Sequence, residues 1–343
     1  MKVFKVIAIF IGIILIVAIV KFGLPIGEKL YNKYQFEKSL TNTVFDQEIE
    51  SSAYLKAKSL KDGQIVSKEL FQLSEIPPIW NKISANDSLL KKYQHLDKIN
   101  FSLIVYKSDS LLVSGIIAEP KQNGILPVVI FNRGGNKKVG KSSKGKTLFS
   151  LLQVSNLVEE GYIILAPCYR EKDEFGGSDI NDVLNLIKTT KYLPKADSER
   201  IGMAGWSRGG MMTYLALKNS DKIKTAVVIN GPTNLSELIK ERPEMDWRVC
   251  AKLIPNYKDN KKEELEKRSV VYWAEELDKN ANLLVVCGTQ DKRVNPKQAH
   301  LIAEKLAEIN YNFTLKEFEA DHKFSGKNKE LNNFIANWFN KNL

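Results

Sequence analysis

Ser207 stands where a serine could become a nucleophile, in Arg200-Ile201-Gly202-Met203-Ala204-Gly205-Trp206-Ser207-Arg208-Gly209-Gly210. The run reads as a buried strand, a sharp turn with serine at its tip, and then a helix. Gly205-x-Ser207-x-Gly209 is the pattern of a nucleophile elbow. A serine hydroxyl attacks a carbonyl only if a base takes its proton. The chain has three histidines, so the search for that base is short. His322 lies in the polar loop Glu319-Ala320-Asp321-His322-Lys323-Phe324, after the strand-like run 313–318. A loop after a strand is where a histidine can reach a serine. His300 falls inside a helical pattern and His95 lies upstream of the sheet, so both read as packing or surface residues. The acid is best placed at Asp291, just beyond the apolar run Leu283-Leu284-Val285-Val286-Cys287. It would hold His322 in one tautomer and stabilise its cation. The order serine, acid, histidine suits an elbow that opens the series.

These residues need a sheet to position them. The hairpin signal at 101–118 is followed by strand-like runs at 128–131, 162–166, 200–204, 225–229, 283–287 and 314–318. Helical patterns alternate with them at 148–160, 180–191, 210–218, 298–308 and near 329–340. Apolar runs without alternation suit parallel strands buried on both faces. The expected fold is α/β, a mostly parallel doubly wound sheet. The stretch 235–268 exceeds a normal connection and could fold as a helical cap over the site.

The elbow, the loop Gly288-Thr289-Gln290-Asp291-Lys292-Arg293-Val294-Asn295-Pro296 and Ala320-Asp321-His322-Lys323-Phe324 together resemble the prolyl oligopeptidase family of α/β-hydrolases. The resemblance runs from about residue 101 to the C-terminus, with looser matches at Asn132-Arg133-Gly134-Gly135, Tyr169-Arg170 and Phe175-Gly176-Gly177. It implies an α/β-hydrolase fold and cleavage of peptides or esters, with Ser207, Asp291 and His322 as catalytic triad. Backbone amides of Arg208 and of Arg133-Gly134 are expected to bind the oxyanion. Trp206 and Tyr169 are expected to contact substrate, and Arg133 to shape the acyl pocket or to pair with a nearby carboxylate and pin its loop. The chain departs from the family at Arg133, where many relatives carry histidine or a hydroxyl-bearing tyrosine, and at Glu171, where glycine is usual. About a hundred residues precede the matching part, too few for the family's β-propeller.

A rival reading exists. Gly135-Asn136-Lys137-Lys138-Val139-Gly140-Lys141-Ser142 matches a phosphate loop after a strand. There Lys141 would meet phosphates and Ser142 a magnesium ion. Against it, no apolar strand ends in an aspartate suited to metal, and Gly145 weakens the helix that must follow at once.

Net charge is +11, from 51 lysines and arginines against 40 acids, spread along the chain. No motif focuses it on nucleic acid, and a basic surface suits an anionic membrane. Cys168, Cys250 and Cys287 lack metal-ligand spacing. No metal or organic cofactor is expected. Residues 6–20 are uninterrupted apolar or glycine residues between Lys5 and Lys21. Flanking Val3, Phe4, Phe22 and Leu24 extend the run toward a membrane span, since the flanking lysines can snorkel. No small-residue cleavage site follows, so the reading is an uncleaved single-pass anchor with the catalytic part outside the cytoplasm. The expected division is an anchor at 1–24, a helical appendage at 25–100 and a catalytic domain at 101–343, with 234–268 as the cap insertion.

Overall fold

The computed structural model describes residues 24–136 and 140–343. The expected anchor at 1–24 lies, but for Leu24, outside them. Among the described residues no helix is long and apolar enough to cross a membrane.

All nine described strands form one sheet, in the order β1-β2-β3-β5-β4-β6-β7-β8-β9. They are β1 Ile65–Phe71, β2 Ile99–Ser108, β3 Leu111–Pro120, β4 Leu126–Asn132, β5 Ile163–Pro167, β6 Ala196–Trp206, β7 Ile223–Ile229, β8 Asn282–Gly288 and β9 Phe313–Phe318. The β1–β2, β2–β3 and β3–β5 pairs are antiparallel. From β5 through β4 to β9 every pair is parallel. No propeller blade occurs among the described residues.

The central strands β4, β5 and β8 read as apolar runs because both faces are covered. Val128 and Ile130 enter one core with the helices Ile180–Thr189, Arg208–Asn219 and Lys297–Glu308. Val129 and Phe131 enter the other, against Leu148, Leu151 and the final helix Asn328–Asn342. Alternate side chains of a strand point to opposite faces, so one run feeds two cores.

Residues 25–100 differ from the expected helical appendage. They contain β1, which lengthens the sheet beyond β2. They also bury Leu40, Phe45, Ile76, Ile79 and Ile83 in the second core. The helix expected at 148–160 starts earlier, at Gly140, and runs to Leu151, followed by a short helix Asn156–Glu159. Gly145 sits inside it, where a Cβ would stand 2.9 Å from Leu40 Cδ1 and 3.0 Å from Phe36 Cζ. There the glycine admits the N-terminal segment rather than ending a helix.

Candidate active site

The elbow forms where β6 ends. Ser207 has φ 57° and ψ −124°, outside the ordinary regions for an L-residue. Such a residue costs about 1–3 kcal/mol and persists only where its surroundings fix it. Its N–H donates to the Ile229 carbonyl at 2.8 Å, and its carbonyl accepts the Gly210 N–H at 2.8 Å. The flanking glycines have steric causes. A Cβ on Gly205 would overlap the Gly209 carbonyl and Thr213 Oγ1, and one on Gly209 would overlap the Asn132 carbonyl. The helix begins at Arg208, so the Arg208 amide has no intrahelical acceptor and lies at the positive helix end. Gly134 approaches the same place: a Cβ there would lie 3.7 Å from Ser207 Oγ.

Asp291 and His322 meet at the ends of β8 and β9. Asp291 Oδ2 is 2.6 Å from His322 Nδ1. Its Oδ1 accepts the N–H groups of Arg293 at 2.7 Å and Val294 at 3.0 Å. The carboxylate is fully buried, so these three donors hold it in place of water. A carboxylate that accepts from Nδ1 puts the proton there and leaves Nε2 as a base. The His322 carbonyl is tied twice, by Trp206 Nε1 at 3.1 Å and Asn230 Nδ2 at 3.2 Å. Asn230 Oδ1 in turn accepts the Gly288 N–H at 2.9 Å. Ser207 and His322 line one cavity of about 720 Å³. The Ser207 hydroxyl makes no hydrogen bond to a described residue. A serine–histidine contact commonly tightens only when substrate arrives.

Not every expected site residue reaches that cavity. Trp206, Arg208 and Gly134 line it; Arg133 and Tyr169 do not. The Arg133 side chain is buried and turned inward. It donates to Thr147 Oγ1 at 2.9 Å, Ser143 Oγ at 2.7 Å and the Cys168 carbonyl at 3.1 Å. Burial pushes its pKa down. This corrects the pocket-shaping expectation: the guanidinium braces the loop from behind, leaving only backbone near the serine. The other expectation is a carboxylate partner that pins the loop; hydroxyls and carbonyls stand in that place instead.

Tyr169 is corrected as well. It is buried at φ 58°, and the guanidinium carbons of Arg133 and Arg208 stand 5.0 and 4.8 Å from its ring centre. That is a cation–π stack inside the protein, not a substrate contact. The Arg208 guanidinium is buried too, held by Asp173 at 2.5 Å and Asp179 at 2.5 Å. Burial opposes its charge, but Asp179 and Asp173 outweigh that and hold its pKa up. The same two carboxylates accept the N–H groups of Phe175, Gly176 and Gly177. Asn230, Asp173 and Asp179 escaped the sequence reading. An arginine beside the nucleophile, facing the core, was the available hint of a carboxylate partner.

The cap stretch folds into short helices, and its Leu238, Arg242 and Met245 line the cavity. The N-terminal segment supplies another wall through the helices Pro77–Ser84 and Asp87–Lys92.

The phosphate-loop residues are engaged elsewhere, and 137–139 lie outside the described residues. Lys141 Nζ is 2.6 Å from Asp46 Oδ1, and Ser142 Oγ donates to Glu37 Oε1 at 2.8 Å. Carboxylates of the N-terminal segment thus occupy the groups that a nucleotide would need. His95 Nε2 lies 2.8 Å from Ser155 Oγ, and His300 Nε2 lies 2.9 Å from Glu317 Oε1, both away from Ser207. Cys287, His300 and Glu317 could hold a metal ion, their donor atoms lying within 4.8 Å of one another. In the metal-free protein, burial and Glu317 push the Cys287 thiol up to about 12.

Residues 168–343 match the prolyl oligopeptidase family. The chain is 26% identical to Bacillus subtilis "uncharacterized peptidase YtmA", over 60% of this chain and 79% of that one. It is 24% identical to B. subtilis "uncharacterized peptidase YuxL", over 76% of this chain but 41% of the other. Pyrococcus horikoshii acylaminoacyl peptidase superposes with a TM-score of 0.63 at 23% identity, over 75% of this chain and 44% of that one. The chain thus spans less than half the length of the last two. The family match takes in the elbow, the Asp291 loop and the His322 loop, and the chain belongs to the prolyl oligopeptidase family as a serine hydrolase.

Proposed function

We propose that this chain cleaves a peptide or ester bond through an acyl-enzyme on Ser207. The observation that carries the reading is the 2.6 Å bond between Asp291 and His322 at the cavity that also holds the strained Ser207. Ser207 Oγ attacks the carbonyl carbon while His322 Nε2 takes its proton. The oxyanion accepts from the backbone amides of Arg208 and the Arg133-Gly134 segment. Collapse breaks the bond to the leaving amine or alcohol, which receives that proton. Water, deprotonated by His322, then releases the acyl group and restores Ser207. Asp291 keeps the ring oriented and stabilises its cation. The names of the relatives favour a peptide substrate, and the same chemistry serves an ester. The sequence of residues 6–20 supports a single-pass anchor with the catalytic part outside the cytoplasm.

A fluorophosphonate probe tests the nucleophile. Intact protein should take up one probe per chain, and Ser207→Ala none. Labelling that persists in folded Ser207→Ala removes Ser207 from the mechanism. A panel of peptides and acyl esters then separates peptidase from esterase.

A further inference from the structure

The walls of the cavity carry charge of one sign. Besides Arg208, it is lined by Lys82, Lys92, Lys146, Arg242, Arg293 and Lys323. No described aspartate or glutamate lines it. Arg208 is neutralised by Asp173 and Asp179, and Arg242 pairs with Glu244 at 2.8 Å. Lys82, Lys92, Arg293 and Lys323 make no ion pair with a described carboxylate. The rest of the wall is largely apolar, with Ile79, Ile83, Leu89, Tyr93 and Phe149 on the side of the N-terminal segment.

Three of the cations stand beside aromatic rings of the wall. Lys82 Nζ stands 5.3 Å, and Lys146 Nζ 5.5 Å, from the centre of the Phe149 ring. Lys92 Nζ stands 4.9 Å from the Tyr93 ring centre. Like charges that line one cavity repel each other, and a low-dielectric wall focuses their field into it. An anion bound in the cavity relieves that repulsion. A free α-ammonium would find like charge and no carboxylate to receive it.

Resting on the Ser207 reading, we propose that the substrate carries an anionic group on an apolar body. The anion sits on the side of Lys82 and Lys92, whose ammonium groups make no ion pair with a described carboxylate, and the apolar part lies along Phe149, Tyr93 and Ile83. The N-terminal segment is thereby part of the specificity apparatus: Lys82 and Lys92 come from it, and Lys146 from the helix Gly140–Leu151 packed against it.

The test uses the full chain and matched esters with carboxylate as the probe anion. In the acyl arm, mono-4-nitrophenyl hexanedioate is compared with 4-nitrophenyl hexanoate. In the leaving-group arm, 4-(hexanoyloxy)benzoate is compared with phenyl hexanoate. In at least one arm, kcat/KM should favour the anion by about tenfold or more. That ratio should fall about fivefold or more in Lys82→Met/Lys92→Met, and also on raising salt to about 0.5 M. Equal or better use of the neutral esters in both arms overturns the proposal. So does a preference that survives the double replacement. Fluorophosphonate labelling of Ser207 on the same samples separates the failures. Labelled enzyme without the preference loses only the substrate assignment, whereas unlabelled enzyme loses the Ser207 reading on which it rests.

Discussion

Asn230 Nδ2 donates to the His322 carbonyl at 3.2 Å, so a residue outside the proposed triad fixes the backbone of its base. Asn230 follows β7 at φ 47°, a conformation that asparagine tolerates better than most residues. Its other amide atom holds Gly288, where β8 turns toward Asp291. One side chain thus spaces the loops that carry the acid and the histidine. Asn230→Ala should lower kcat about 10- to 100-fold with KM within about threefold, and cost about 1–3 kcal/mol in stability. Steady-state kinetics with a denaturant titration check both. Lost stability with kcat intact reduces Asn230 to a structural role.

His322→Ala and Asp291→Asn should each cut kcat by about 10⁴-fold or more. The double variant should lose little beyond the worse single, because the groups act as a unit. His300→Ala should keep its turnover, since His300 pairs with Glu317 on the surface. Full activity in folded His322→Ala would move the base elsewhere.

Arg133→Met should destabilise the protein by about 2–4 kcal/mol, because the buried Thr147 and Ser143 hydroxyls lose the guanidinium as donor and the Cys168 carbonyl keeps only Ser143. The ratio of activities on anionic and neutral esters should not move. Unchanged stability with turnover down about 10²- to 10³-fold would instead make the guanidinium an oxyanion donor.

The elbow was legible because its glycines answer local overlaps, within a few residues of Ser207 or on the neighbouring strand. Asp291 was legible because it follows an unbroken apolar run, and His322 because it sits in a polar loop after a strand-like segment. β1 was not, since Ile65–Phe71 is half exposed and carries Lys68 and Glu69, as an edge strand does. Nor were the positions of Arg133 and Tyr169. Their partners at Ser143, Thr147 and Arg208 lie 10 to 39 residues away in the chain. No pattern near either residue reports such packing.

The cysteines should resist thiol reagents in the folded protein. Burial pushes Cys250 up to about 11 and Cys287 up to about 12, with Asp246 and Glu317 respectively adding to it. Both therefore remain neutral thiols near pH 8. The unfolded chain would release these protons from about pH 9. Their contribution to stability is thus complete below that pH and is lost as pH rises toward about 12. Disulfide-exchange titration at pH 8 should find no thiol without denaturant. Rapid labelling of native protein would contradict the burial.

Fractionation tests the anchor. The protein should stay in the carbonate-resistant membrane pellet with Met1 or Lys2 still present. A soluble mature chain that starts after residue 20 would mark the apolar run as a cleaved signal.

The pairing of β1 with β2 has a mechanical consequence. The helices bearing Lys82 and Lys92 follow β1 after a short turn and lead directly into β2. The chain therefore enters and leaves this wall through two adjacent, hydrogen-bonded strands. A wall fastened at both ends of its span cannot swing aside as a free flap. Its opening is coupled to the fraying of an edge strand, in one cooperative unit. Amide exchange across residues 77–93 should then rise and fall with that of Ile65–Phe71, and weakening the β1 ladder should loosen the catalytic cavity from a distance.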